Sequence, residues 1–221
     1  MATFTYNGAS WTYNEVTAAD GRVWMDRNLG ATQAATSSTD TASYGDLFQW
    51  GRLDDGHQVP TSGTTTTLSS TDIPGNALFI KTGFTSPYDW RSPKNDNLWQ
   101  NGLNVPAPTG WHVPTQTEWA TLVAAEGITG YATAYSSNLK LTAVVMRNFS
   151  TGSTGTYGNY WSSTVNGADA YGLYLLFSSV VTNYSIHRAG GNSVRLIKDL
   201  ATPSPTMTGV QSVTGVGTIT F

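Results

Sequence analysis

The chain contains no cysteine. That excludes a thiol nucleophile, a thiolate metal site and any disulfide. It also fits maturation in a reducing compartment. Charge is scarce: Asp, Glu, Lys and Arg make up only 11% of the residues, against roughly a quarter in an average domain. The few Lys and Arg are scattered and the net charge is -3, so nucleic acid is not an expected partner. No apolar run approaches the ~20 residues of a membrane-spanning helix, so no membrane insertion is expected. Residues 1–8 lack the basic and apolar segments of a secretory signal.

What is present is glycine, threonine and aromatics. The 221 residues are 39% hydrophobic and include 23 Gly, 11 Tyr and 8 Trp. This composition favours many turns and short strands over long helices. Strands are expected at Phe4–Tyr6, Trp11–Tyr13 and Arg22–Met25, with Asp20-Gly21 as a turn. Phe48 and Trp50 are expected to point inward from a short helix or turn over Tyr44–Trp50. Residues 54–76 and 84–110 read as long irregular segments; loops of that length need pinning, and Trp90, Trp99 and Trp111 are placed to do it.

The clearest helix signal is Thr115-Gln116-Thr117-Glu118, a capping box followed by Trp119, Leu122 and Val123 on one face. Gly127 or Gly130 should stop that helix. A second short element is expected over residues 138–148. Tyr160–Ser163 reads as a core strand. In Ala170–Phe177, the residues Tyr171, Leu173, Leu175 and Phe177 alternate with Gly172, Tyr174 and Leu176, so one set should face the core. Val180–Thr182 and Ser193–Ile197 read as further strands. Residues 201–221, rich in Pro, Thr, Gly and Val, read as an appended tail.

Several segments together resemble a known family. The run Asp20-Gly21-Arg22-Val23-Trp24-Met25-Asp26-Arg27-Asn28-Leu29-Gly30 resembles the opening motif of the Fibrobacter succinogenes major paralogous domain. Tyr44–Arg52, Asp89–Pro93 and Asn97–Gln100 are similar to its next blocks. Gly110-Trp111-His112-Val113-Pro114-Thr115-Gln116-Thr117-Glu118-Trp119 resembles its central signature, and Gly158–Thr164 and Ser193-Val194-Arg195 its C-terminal blocks. The resemblance implies an α+β, C-type-lectin-like domain over residues 1–200: short twisted antiparallel strands, about two helices and long irregular loops. The formylglycine-generating enzymes share that fold, but their chemistry needs cysteines this chain lacks.

The same resemblance implies similarity to the variable proteins of diversity-generating retroelements. In those, solvent-facing codons are randomised between fixed core codons. Tyr160–Ser163, Leu173, Phe177 and Ser193–Arg195 would be the fixed frame. Asn166, Asp169, Tyr174, Ser178, Ser179, Asn183, Tyr184, Ser185, His187 and Asn192 would be the ligand-binding set. Tyr supplies large contact area at low entropic cost, and Asn and Ser supply adaptable hydrogen bonds. Family members often carry cysteines where this chain has Ala107 and Leu196; here both members of that implied bridge are replaced by residues that can pack.

The expected function is a receptor-binding or adhesive module, a phage virion fibre or tail protein that contacts a host cell-surface glycan or protein. It is expected to assemble in the host cytoplasm with other virion proteins, as a homo-oligomer. The alternatives are a structural virion protein whose tail drives assembly and a bacterial cell-surface binding protein. No enzyme activity and no cofactor are expected. His112 and Glu118 flank a helix start, where Glu118 is accounted for as a cap. Asp54-Asp55 are adjacent and cannot flank one glycosidic bond. Asp20, Asp26, Asp46 and Asp96 show no calcium-loop spacing. Arg195 reads as a buried structural donor.

Overall fold

The computed structural model describes residues 1–200 apart from 85 and 157. The expected C-terminal tail, 201–221, lies outside the described residues. The chain begins with strands β1 (Ala2–Tyr6), β2 (Ala9–Tyr13), β3 (Glu15–Thr17) and β4 (Val23–Met25). Short strands β5 (Phe48–Gln49), β6 (Thr64–Thr65), β7 (Phe79–Ile80) and β8 (Trp111–His112) follow, separated by long loops. Helices α1 (Gln116–Ala125) and α2 (Tyr131–Ser136) come next, then β9 (Val145–Arg147) and β10 (Thr154–Thr156). The last part is β11 (Gly158–Asn166), β12 (Asp169–Leu175), β13 (Val180–Ile186), β14 (Gly191–Asn192) and β15 (Ile197–Lys198). The fold is thus α+β and built from several small, mostly antiparallel sheets.

Local chemistry accounts for these elements. Asn7 and Gly8 both have positive φ, 47° and 74°, so the β1–β2 hairpin closes on the Asn-Gly turn that such strands favour. The expected capping box is present: Thr115 Oγ1 accepts from the Glu118 amide, and Glu118 accepts from the Thr115 amide. Gly127, at φ 64°, ends α1 in the left-handed conformation. The Gly127 amide donates to the Ala124 carbonyl and the Ile128 amide to the Val123 carbonyl, which closes a Schellman motif.

Two expectations about local elements were incomplete. Tyr44–Trp50 contains neither a helix nor only a turn; Phe48-Gln49 pair with β14. The element expected over 138–148 is the strand β9, and the second helix lies before it. Both segments are too short for periodicity to separate strand from helix.

The core has two parts. One gathers Phe48, Trp50, Trp90, Trp99, Trp111, Trp161 and Leu196. The other gathers Trp24, Trp119, Leu122, Tyr160, Leu173 and Leu175. Successive residues of β11 feed them alternately: Tyr160 enters one and Trp161 the other, as the period of two requires. Buried indole N–H groups donate to backbone carbonyls within the core, and the Trp119 bond joins its two parts. Trp161 donates to Phe48, Trp119 to Trp161, Trp50 to Ser162 and Trp90 to Trp50. Trp90 and Trp99, 0% and 3% exposed, pin the long loops as expected. Leu196 is buried in the first cluster and Ala107 packs against that cluster; these are the two positions where the resemblance implies cysteines.

Buried arginines tie distant segments together. Arg195 Nε donates to Asn28 Oδ1, and Nη1 donates to the Met25 and Leu139 carbonyls. It is a structural donor, as expected. Arg188, 0% exposed, donates to the Asp169 and Gly167 carbonyls, pairs with Asp96 at 2.7 Å and lies 4.6 Å over the Trp50 ring. It clamps the β11–β12 hairpin to the loop that carries Asp89 and Asp96.

Candidate binding face

The sheet β11–β12–β13 positions most of the candidate residues. Asn166 pairs with Asp169 at the hairpin end, Tyr171 with Ser185, and Gly172 with Tyr184. The register then shifts before Tyr174, which pairs with Val181. Gly172 permits this packing: a Cβ there would meet Ile186 Cδ1 at 2.4 Å and the Tyr160 carbonyl at 2.7 Å.

Four candidates form one hydrogen-bonded chain. Asn166 Nδ2 donates to Ser185 Oγ (3.1 Å), Ser185 Oγ donates to Asp169 Oδ2 (2.8 Å), and Asp169 Oδ1 lies 2.8 Å from His187 Nδ1. The carboxylate only accepts, so His187 carries its proton on Nδ1. The imidazole is stacked on Tyr88 (centroids 4.2 Å apart) and meets the edge of Phe149 (4.8 Å). Tyr174 and Tyr184 form a second pair, with centroids 4.5 Å apart.

A groove of about 360 Å³ opens beside these residues. It is lined by Tyr174, Tyr184, Ser185 and His187 from the sheet, by Met146, Asn148 and Phe149, and by Asn159 and Gly190. None of the lining residues is Asp, Glu, Lys or Arg. Asn159 is 4% exposed and its Oδ1 has no hydrogen-bond partner.

The remaining candidates are elsewhere. Ser178 and Ser179 sit in the exposed turn between β12 and β13, and Ser178 packs against Gly130 at the start of α2. Asn183 is exposed on β13. Asn192 must be corrected: it is 0% exposed and paired with Phe48 in β14, so it cannot contact a ligand from outside. Its position between β5 and β9 in the sheet explains the burial. Phe177, assigned to the frame, is 85% exposed, because β12 ends at Leu175 and the alternation stops there.

The sequence reading missed Tyr88, Met146, Asn148, Phe149 and Asn159, which come from other parts of the chain. Asn159 lies in the Gly158–Thr164 block, just before the frame residues Tyr160–Ser163.

The titratable clusters are engaged within the fold. His112 has both nitrogens paired, Nδ1 with Asp199 at 2.5 Å and Nε2 with Glu118 at 3.0 Å. Burial alone would lower its pKa, but these carboxylates raise it. Burial pushes Glu118 up, yet the bonds from His112 and the Thr115 amide outweigh it and hold the carboxyl at about 2. His57, 0% exposed, accepts from the Gln49 amide at Nε2 and donates from Nδ1 to Asp55. Burial holds His57 down at about 4. Among the described residues there is no group of His, Asp and Glu arranged to hold a metal, and no helix is long and apolar enough to cross a membrane.

Comparison with family models, curated proteins and solved structures found no match.

Proposed function

We propose that this chain is a ligand-binding module of C-type-lectin-like architecture, without enzymatic activity, that attaches a phage virion to a host cell surface through the β11–β13 face. One observation carries the reading: Tyr174, Tyr184, Ser185 and His187 converge on a single groove, with Asn166 and Asp169 hydrogen-bonded behind them. Concave, largely apolar sites with a few convergent polar groups are the usual form of a ligand site.

The partition of the segment supports it. Tyr160, Trp161, Ser162, Leu173, Val194 and Arg195 are buried, whereas Ser178, Ser179, Asn183, Tyr184 and Ser185 are exposed. A variable surface on an invariant frame requires this separation. Two other titratable clusters are committed to holding the fold. His112 and Glu118 are locked to each other and to Asp199 and Arg22, and His57 is sealed from solvent.

The test is a glycan-array and whole-cell binding screen of the multimerised chain, with a Tyr174→Ala/Asn183→Ala/Tyr184→Ala variant beside it. Binding that is lost in the variant at unchanged melting temperature supports the reading. Equal binding by the variant moves the site off this face. No binding to any cell or glycan favours a structural role in the virion instead.

A further inference from the structure

We infer that His112 is a pH-operated latch on the end of the domain: its imidazolium holds Asp199 and Glu118 at once, and loss of one proton releases Asp199 while Glu118 stays bound. The inference is independent of the binding reading and goes beyond it.

The first argument is the number of protons. His112 Nδ1 lies 2.5 Å from Asp199 Oδ1, and Nε2 lies 3.0 Å from Glu118 Oε2. Carboxylate oxygens only accept, so both ring nitrogens must donate, and only the imidazolium has two N–H groups. A neutral ring keeps one of them and turns a lone pair towards the other carboxylate. The two contacts therefore exist together only below the pH at which His112 loses its proton. Burial favours that loss, but the Glu118 and Asp199 carboxylates outweigh it and hold the proton to a higher pH than in a free imidazole.

The second argument decides which contact is lost. Glu118 is 18% exposed and sits in the first turn of α1. There the Thr115 amide and hydroxyl donate to its Oε2, and Arg22 Nη1 pairs with its Oε1 at 3.0 Å. Asp199 is 52% exposed, and among the described residues its carboxyl has no partner but His112. A lone pair on Nε2 would face a carboxylate that is held in place. A lone pair on Nδ1 faces one that can turn into water. The neutral ring therefore keeps its proton on Nε2 and lets Asp199 go. The nearby cations do not replace the lost contact: Arg22 is engaged by Glu118 and the Lys198 carbonyl, and Lys198 by Glu15.

The third argument is position. Asp199 follows β15, whose Ile197 and Lys198 pair with His112 and Trp111 of β8. The Asp199 amide donates to the Gly110 carbonyl. These ties lie next to Leu200, which is exposed. Residues 201–221 continue from there, so the latch acts where the rest of the chain leaves the domain.

The test is NMR of the nitrogen-labelled full chain across the imidazole titration range. Long-range proton–nitrogen spectra report the midpoint and tautomer of His112, and hydrogen exchange reports the Asp199 amide. The expected midpoint lies above roughly 6.5, the value of an unperturbed imidazole. Above that midpoint the ring should be protonated on Nε2, opposite to His187, whose Nδ1 proton is held by Asp169. Protection of the Asp199 amide, corrected for intrinsic exchange, should fall several-fold through the same midpoint. Asp199→Asn removes one of the two opposite charges at an exposed position. It should lower the His112 midpoint and abolish the step in protection. A midpoint no higher than that of an unperturbed imidazole, or a neutral ring protonated on Nδ1, would overturn the inference. So would protection at Asp199 that stays constant through the midpoint, or an Asp199→Asn midpoint equal to the parent's.

Discussion

Asp169 Oδ1 and His187 Nδ1 lie 2.8 Å apart, joining the start of β12 to the residue just after β13. The contact has two consequences. It fixes the imidazole tautomer, and it holds the ring flat against Tyr88, 4.2 Å between centroids. His187 is therefore as much a buttress as a contact residue. His187→Ala should cost about 1–3 kcal/mol, from the lost stacking and the lost hydrogen bond. Tyr184→Ala, at a 41% exposed position, should cost less than His187→Ala. Urea unfolding of both variants checks the order; equal losses would remove the buttress role.

Arg188 is a larger liability. It is fully buried and faces Asp96 at 2.7 Å and Asp89 at 3.6 Å. Arg188→Met would leave Asp89, 3% exposed, without its nearest buried cation. Breaking a buried pair from one side costs about 3–5 kcal/mol. Arg188→Lys should recover only part of this, since a single ammonium cannot reproduce the guanidinium's bonds to two carbonyls and a carboxylate. A variant as stable as the parent would show that the clamp is not needed.

Two buried groups give opposite pH dependence. Burial raises Asp89 from 3.8 to about 6. The folded state then holds this proton more tightly than the unfolded chain, so the stability Asp89 contributes is full below 3.8 and is lost as pH rises through 6. Burial lowers His57 from 6.5 to about 4. The unfolded chain binds that proton more tightly, so stability from His57 is lost as pH falls from 6.5 through 4. The two effects oppose each other in the range they share. Carbon-detected NMR should show the Asp89 carboxyl titrating with a midpoint near 6, and no change in the His57 ring until pH approaches 4. An Asp89 midpoint in the ordinary carboxylate range would contradict the first statement.

Gly172 sets the spacing under the face. Adding a methyl would press on Ile186 and on the Tyr160 carbonyl, and the backbone atom cannot move aside as a flexible side chain would. Gly172→Ala should destabilise by about 1–3 kcal/mol through overpacking, and amide shifts in β11 and β13 should move more than those in β1 and β2. Shifts confined to residue 172 would show that the sheet absorbs the methyl.

Much of the fold was legible in local chemistry. Thr115 and Glu118 announced α1 because both halves of a capping box lie within one turn of chain. Leu173 and Leu175 announced a buried strand face because strand alternation is a property of neighbours in sequence. Arg195 read correctly because a charged residue inside a core motif must find acceptors. The candidate site was legible only in part. Tyr174, Tyr184 and His187 come from one continuous segment, so residue type and alternation along that segment could single them out together. Asn192 could not be told from its neighbours by residue type; its burial follows from pairing with Phe48, far away in the chain.

The sequence by itself determined the chemistry available: no thiols, little charge, many aromatics, and a short list of turns and caps that local hydrogen bonding enforces. Only the tertiary structure decided which groups share a site. Phe149 and Asn159 reach the His187 groove from two separate segments, and Tyr88 stacks on His187 from a third. They do so because long-range strand pairing and buried clamps such as Arg188 bring those segments together. No local pattern encodes a contact whose partners are that far apart along the chain.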